Sequence, residues 1–168
     1  MTSYSELSPH SRVWIYQSDR RLTNDEVTLI TTKLTAFVNN WTAHNRPLKA
    51  FAEVRENLFI LIYVDESESI ISGCGIDKSF HLVESLGHDL NIDFFNRTKV
   101  AYISNNIIHL ATLLELKGLY NEKGITDTTI IFNNVVQTKN ELETSWKIPL
   151  VNSWASKLVS TANKLKVN

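Results

Sequence analysis

One short segment of the sequence combines the residue types that nucleophilic and phosphate-binding sites use. These residues are Gly73, Cys74, Gly75, Asp77 and Lys78. A thiol just before a predicted helix lies near positive backbone dipoles, which favour the nucleophilic thiolate. A Gly-rich turn between a strand and a helix can also present backbone N–H groups to a phosphate. The segment therefore predicts either a catalytic thiol at Cys74 or a turn whose other four residues bind a ligand.

A catalytic thiolate needs a base within reach, and no spacing in the sequence supplies one. The candidates are His44, His81, His88 and His109. Triad partners meet only in space, so the sequence places none of them beside the thiol. Because a free cysteine is often simply a small buried residue, we predict that Cys74 is packed inside a tight turn. A small thiol-dependent enzyme remains the alternative.

The same segment resembles part of a Walker A motif, which requires G-x-x-x-x-G-K-[ST]. Lys78-Ser79 supplies its ending, but Asp77 replaces the adjacent glycine and Ser72 stands where the first glycine belongs. A carboxylate in the phosphate nest would repel phosphate. An apolar strand that ends at Asp65-Glu66 resembles Walker B, yet it precedes the supposed Walker A. Nucleotide binding is therefore the third function that we consider.

Two further features indicate either bracing or ligand contact. Asn133 and Asn134 interrupt an apolar β-rich run and point to opposite faces of the predicted strand, so one of them needs a polar partner. Arg97 ends a polar-aromatic segment and could satisfy loop carbonyls. Structural bracing is the favoured interpretation, and a ligand-facing role for these three residues is the alternative.

The histidines do not indicate a metal site. His81 and His88 are seven residues apart, which is roughly 10 Å along a helix and too far for one ion. Glu84 lies between them at ion-pair spacing, so a surface ladder of charges explains all three. We expect no metal and no cofactor.

Six short segments spread along the chain carry a further pattern: Val13–Ser18, Trp41–His44, Ser72–Lys78, Ile92–Arg97, Phe132–Asn134 and Ser153-Trp154. Together they resemble a small Bacteroidetes family whose members are commonly labelled "ABC transporter ATPase". The resemblance covers the chain from about Val13 to Leu158. It implies nucleotide binding, although an intact Walker A and an LSGGQ-like signature are missing from this sequence.

Composition limits the classes of partner. The chain has 168 residues, 43% of them hydrophobic, and a formal net charge of −1, so no overall field favours nucleic acid or an anionic membrane. Its one cysteine cannot form an internal disulfide. Residues 1–12 contain no apolar signal-peptide core, and no run approaches the roughly 20 apolar residues that cross a bilayer. We expect a cytoplasmic protein.

The elements that would position these residues alternate between strands and helices. The sequence predicts strands near 13–17, 48–55, 58–64 and 99–103, with helices over about 23–44 and 78–90. Thr23 and Glu26 form a capping box at the first helix, and Glu56-Asn57 suits a tight turn. This βαββαβ order is that of a ferredoxin-like start.

A C-terminal extension follows. It consists of an apolar helix over 107–117, a β-rich run over 128–136, a short capped helix over 138–146 and a last helix from Val151 to Ala162. We predict a flexible tail over 1–12 and a single α+β domain over 13–168, with a mainly antiparallel five-stranded sheet. The leading function is a non-catalytic module that binds a small ligand or a protein, with a homodimer as one possibility.

Overall fold

The chain folds as an α+β protein in the computed structural model, which describes residues 2–43, 46–67 and 69–160. It forms two compact units, one from Met1–Asn96 with Val136–Glu143 and the other from Arg97–Val135 with Thr144–Asn168. In chain order the elements are β1 (Arg12–Gln17), α1 (Asn24–Asn39), β2 (Thr42–Ala43), β3 (Arg46–Pro47), β4 (Lys49–Arg55), β5 (Phe59–Asp65), α2 (Gly73–Leu90), β6 (Lys99–Ser104), β7 (Ile107–Thr112), α3 (Leu113–Asn121), β8 (Ile130–Phe132), α4 (Lys139–Ser145), β9 (Lys147–Pro149) and α5 (Ser156–Ser160).

The first unit contains a three-stranded antiparallel sheet in the order β1-β5-β4. β5 is the central strand, and every one of its residues is buried. Both long helices share a core with one face of this sheet, where Leu34 of α1 and Val83 of α2 join Ile60 and Ile62 of β5. A strand covered on both faces reads as a continuous apolar run, which is why the sequence predicts β5 correctly.

α1 begins where its capping box predicts. The Thr23 side chain accepts a hydrogen bond from Glu26 N, and the Glu26 carboxylate accepts one from Thr23 N at 2.8 Å. Arg20 donates to the same carboxylate, and together with the Thr23 bond it lowers the pKa of Glu26 to about 2. Glu26 therefore stays ionised and holds the first turn of the helix.

The segment before β1 is packed within the first unit, whereas the sequence predicts a flexible tail over 1–12. Leu7 is only 3% exposed. The buried Lys139 of α4 donates from Nζ to the carbonyl oxygens of Tyr4 at 3.1 Å and Leu7 at 3.0 Å. A buried ammonium needs such acceptors, so α4 and the N-terminal segment fix each other.

The second unit contains a four-stranded antiparallel sheet in the order β7-β6-β8-β9. Its core includes Leu116 of α3, Ile131 of β8 and Val159 of α5, all fully buried. β6 and β7 are joined by Asn105 and Asn106, whose φ angles are 52° and 61°. Positive φ at both central residues is what a type I′ hairpin turn requires.

Two details of the predicted fold are not confirmed. The strands lie in sheets of three, two and four rather than in one sheet of five. β1 is antiparallel to β5, and β6 pairs with β7 and β8, so the four strands of the ferredoxin-like start do not share a sheet. A chain pattern of strands and helices sets the order of elements but leaves open which strands pair.

Three predicted boundaries also differ from the structure. The run over 107–117 is a strand up to Thr112 and a helix from Leu113, because the Asn105-Asn106 turn folds its first half back onto β6. A short apolar run does not distinguish a buried helix from a strand. α2 begins at Gly73 rather than near Lys78, and α5 begins at Ser156. In the part of the chain described, no helix is long and apolar enough to cross a membrane.

Candidate functional site

The predicted Gly-rich turn is the first turn of α2. Ser72 is its N-cap, and its side-chain oxygen accepts from Gly75 N at 3.2 Å. Ile76 N donates to the Ser72 carbonyl at 3.0 Å as the first bond of the helical ladder, so Gly75 N is the terminal N–H group that the cap occupies. Asp77 and Lys78 have exposed side chains on the following turn. The segment is a capped helix start and not an open nest for phosphate.

The glycines of this turn have different roles. Neither has a positive φ. A Cβ at Gly75 would lie 2.8 Å from Ile71 Cγ1, whereas one at Gly73 would meet nothing within 4 Å. Trp41 Nε1 donates to the Gly75 carbonyl at 3.1 Å, which holds α2 against the core. Of the two glycines, Gly75 is therefore the one at which a Cβ would meet a neighbouring side chain.

Cys74 is exposed, which corrects the prediction of a buried packing residue. Its position on the outer side of the helix start accounts for this, because Gly75 takes the inward position. No hydrogen bond joins its sulfur to His81, His88 or His109 in the described structure, and His44 lies outside the described residues. A nucleophile and a base are not brought together here.

The asparagine pair braces a loop in the second unit. Asn133 Nδ2 donates to the Ser145 carbonyl at 3.2 Å, and Asn133 N donates to the Trp146 carbonyl at 2.6 Å. Trp146 Nε1 donates in turn to Asn134 Oδ1 at 2.9 Å. Arg97 is exposed. These contacts follow the bracing interpretation, since the amides of both asparagines hold the chain before β9.

A buried polar group in the first unit lies on the sheet face opposite the helices. Tyr63 Oη donates to Glu53 Oε1 at 2.9 Å, and Arg55 Nε lies 2.7 Å from the same oxygen. Burial raises the pKa of Tyr63, and the Glu53 carboxylate raises it further. The phenol therefore keeps its proton and acts as a donor in a fixed chain of hydrogen bonds. This group supports the sheet, and its phenol stays protonated near neutral pH.

An open cleft of about 390 Å³ lies in the second unit, between β7 and α3. No motif in the sequence indicates it, because its walls come from two paired strands, β6 and β7, and a helix, α3. Apolar side chains and two carboxylates both line it. The residues that line it are Tyr102, Leu110, Ala111, Glu115, Gly118, Leu119 and Glu122.

One residue that lines the cleft, Gly118, is a glycine at a position where alanine would make the helix more stable. It lies inside α3, where glycine costs about 1 kcal/mol relative to alanine. A Cβ there would meet nothing within 4 Å, and the backbone φ is not positive. The sequence predicts Gly118 as a helix stop, but the helix continues to Asn121. The missing side chain instead keeps the cleft open.

The rim of the cleft carries two carboxylates, and the Lys99 ammonium lies near one of them, Glu115. Glu115 Oε2 accepts from Thr112 N at 2.7 Å and from Thr112 Oγ1 at 2.9 Å. These bonds lower the pKa of Glu115 and fix its carboxylate at the start of α3. Glu122 is exposed at the end of the same helix. Tyr102, which lines the cleft, stacks on His109 with the ring centroids 5.3 Å apart. Apolar side chains and carboxylates together suit a group with an apolar body and a positive charge.

β7 forms one wall of the cleft and is an edge strand. Ser104 and Ile107 close the two-residue turn as a hydrogen-bonded pair, and such pairs alternate with non-hydrogen-bonded ones along an antiparallel ladder. Ile108 and Leu110 therefore direct their N–H and C=O groups away from β6. Within the ranges that the structure describes, no backbone or side-chain group accepts from or donates to these outward groups.

Comparisons of the chain with protein-family models, with curated proteins and with solved structures gave no match. Among the described residues, no group of three or more His, Cys, Asp and Glu side chains is arranged to hold a metal ion.

Proposed function

We propose that the chain is a non-catalytic interaction module that binds an extended peptide segment in the cleft between β7 and α3. The observation that carries this proposal is the unpaired outer edge of β7 beside an open cleft whose other wall is a helix. An edge strand with free N–H and C=O groups is a template for one more strand. A helix alongside it provides contacts for the side chains of that added strand.

The chemistry of the cleft defines the class of peptide. The main chain of the peptide would pair with the outward groups of Ile108 and Leu110. Alternate side chains of an extended peptide point to one face, so every second residue enters the cleft. There an apolar side chain meets Leu119, and a Lys or Arg side chain faces Glu115 and Glu122. We propose a segment in which an apolar residue and a basic residue lie two positions apart, in a cytoplasmic setting and without a cofactor.

The thiol-enzyme and nucleotide alternatives have less support. Cys74 is exposed but has no base beside it among the described residues. Ser72 Oγ already accepts from Gly75 N at the start of α2, and Asp77 adds a negative charge on the next turn. A small ligand that combines an apolar body with a cationic group is the remaining candidate for the same cleft.

Selection from a displayed library of extended peptides tests the proposal. We expect the wild-type protein to enrich segments in which an apolar residue and a basic residue lie two positions apart. Gly118→Leu fills the cleft and should weaken their binding by about tenfold or more. Leu114→Ala is the control, because Leu114 is 80% exposed on the same helix and does not line the cleft. Enrichment of no peptide, or equal binding by Gly118→Leu, would refute the proposal.

A second measurement tests the charge preference. Glu122→Gln removes one rim carboxylate without touching the capping bonds of Glu115. We expect it to weaken binding of basic peptides several-fold at low ionic strength and less at high salt, because exposed charges are screened. If Glu122→Gln bound basic peptides as tightly as the wild type at both salt concentrations, the rim carboxylates would not contribute to recognition.

A further inference from the structure

We infer that the extended segment taken by β7 is β7 of a second copy of the chain, which makes the protein a homodimer with a continuous antiparallel sheet across its interface. This inference rests on the proposed function, since it uses the same strand edge and cleft. It commits that site to one partner, the chain itself.

The other edges of the two larger sheets carry features that prevent pairing. β4 presents Lys49, Glu53 and Arg55, and β9 contains Lys147 and Pro149. Charges and proline on an edge strand oppose the addition of another strand. β1 is covered differently: Val13 N donates to the Gln137 carbonyl at 2.9 Å, and Arg12 forms a β-bridge with Thr138.

β7 has none of these protective features. Its six residues, Ile107–Thr112, include no Lys, Arg, Asp, Glu or Pro. Ile107 is 56% exposed at the start of the strand. The two-residue turn before it, Asn105-Asn106, is also uncharged. A β-branched, uncharged edge strand of this length is a surface for strand pairing.

The positions of the free backbone groups fit a two-fold axis. Ile108 and Leu110 lie symmetrically about His109, and both direct their N–H and C=O groups outward. With the axis at His109, Ile108 pairs with the partner's Leu110 and Leu110 with the partner's Ile108. Each of these pairs exchanges two hydrogen bonds, so every outward group of the two residues is satisfied. His109 then lies directly opposite the partner's His109.

Charge also favours this partner. The rim of the cleft is acidic at Glu115 and Glu122, and a β7 strand brings no carboxylate to it. His109 stacks on Tyr102, which faces the core shared with α3. Directly opposite residues of an antiparallel pair share a face, so the partner's His109 lies on the α3 side. A second copy thus places an imidazole on the face where the carboxylates lie.

Light scattering on the full chain over a concentration series tests this inference. The wild type should be a dimer that dissociates on dilution. His109→Lys and His109→Glu each place like charges directly opposite on the axis, so each should raise the dimer dissociation constant by about tenfold or more. An equimolar mixture of the two variants should restore a heterodimer, because lysine then faces glutamate. His88→Lys, at an exposed histidine of α2, is the control and should dimerise like the wild type.

The mixture keeps the test independent of folding defects, since only correctly folded variants can restore each other. A monomeric wild type at all concentrations, or dimeric His109→Lys, would overturn the inference. So would two folded variants that do not combine. If the wild type is monomeric but binds library peptides in a Gly118-dependent way, the self-pairing fails and the proposed function stands. If it dimerises as described but binds no peptide, self-pairing stands and the broader peptide-binding function fails.

Discussion

Lys49 and Asp65 face each other across the β4–β5 pair, with Lys49 Nζ 3.0 Å from Asp65 Oδ2. Asp65 is 3% exposed, and its carboxylate also accepts from Ser8 N and Ser67 N, each at 3.1 Å. Burial by itself raises the pKa of this carboxyl. The hydrogen bonds from Ser67, Lys49 and Ser8 outweigh that effect and lower the pKa below its ordinary value.

Asp65→Asn should make the stability of the protein less dependent on acid. A lowered pKa in the folded state stabilises the fold above the ordinary carboxyl pKa, and this contribution is lost as the pH falls through the folded pKa. At pH 7 we expect the variant to be less stable than wild type by about 1–3 kcal/mol. Urea midpoints from neutral to acid pH should show this gap narrowing. Asp77→Asn, at an exposed position, should stay within about 0.5 kcal/mol of the wild-type stability throughout. If the stability difference between Asp65→Asn and wild type did not change with pH, the lowered pKa of Asp65 would be contradicted.

Alanine at the two glycines of the α2 start should have opposite effects. Gly75→Ala places a Cβ 2.8 Å from Ile71 Cγ1, and we expect a loss of about 1–3 kcal/mol through overpacking. Gly73→Ala meets no atom within 4 Å and should gain up to about 1 kcal/mol by restricting the unfolded chain. Thermal and urea denaturation of both variants measures the difference. Equal stabilities would show that Ile71 moves aside without cost.

Leu61→Ala should strongly destabilise the protein, because it truncates a side chain of the central strand. Leu61 is fully buried in β5, so we expect a loss of about 2–5 kcal/mol from lost burial and the remaining cavity. Leu114→Ala makes the same change at an exposed position and should stay within about 0.5 kcal/mol. Similar urea midpoints for the two variants would mean that β5 is not the centre of the core.

Native Cys74 should react with iodoacetamide without prior unfolding, because its side chain is exposed at the α2 start. We expect a rate within about tenfold of that of the urea-unfolded chain, since access and not a catalytic base controls the reaction. Mass spectrometry of timed samples gives both rates. Cys74→Ser should change the stability by less than about 0.5 kcal/mol. If Cys74 reacted with iodoacetamide only after global unfolding, its side chain would be packed inside the protein and the prediction would be wrong.

The elements with a strong periodic pattern were predictable, and their boundaries follow local chemistry. α1 begins at its Thr23–Glu26 capping box, and Glu56 and Asn57 both adopt the positive φ of a tight turn. The apolar run over 107–112 was wrongly predicted as helix. Its Asn105-Asn106 turn was the signal that could have corrected this, because asparagine tolerates positive φ.

The cleft could not be predicted from the sequence, since Tyr102, Leu110 and Glu122 come together only after β6 and β7 pair and α3 packs on them. Gly118 was the one local signal, as a glycine that falls inside a helix without a steric reason. The Gly-rich segment around Cys74, in contrast, was predicted as a functional turn although it is the capped start of a helix. Its composition suits a phosphate nest, but the Ser72 cap converts it into an ordinary helix start.

The discontinuity of the first unit has a consequence for synthesis of the chain. The edge of β1 is covered by Gln137 and Thr138, and Leu7 is held by Lys139, so these contacts form only after the whole of Arg97–Val135 has been made. A nascent chain that ends before residue 136 carries an open β1 edge. Strands β6, β7 and β8 of the second unit therefore leave the ribosome before the first unit can be completed. Cleavage between the two segments of the first unit leaves them associated only by noncovalent contacts.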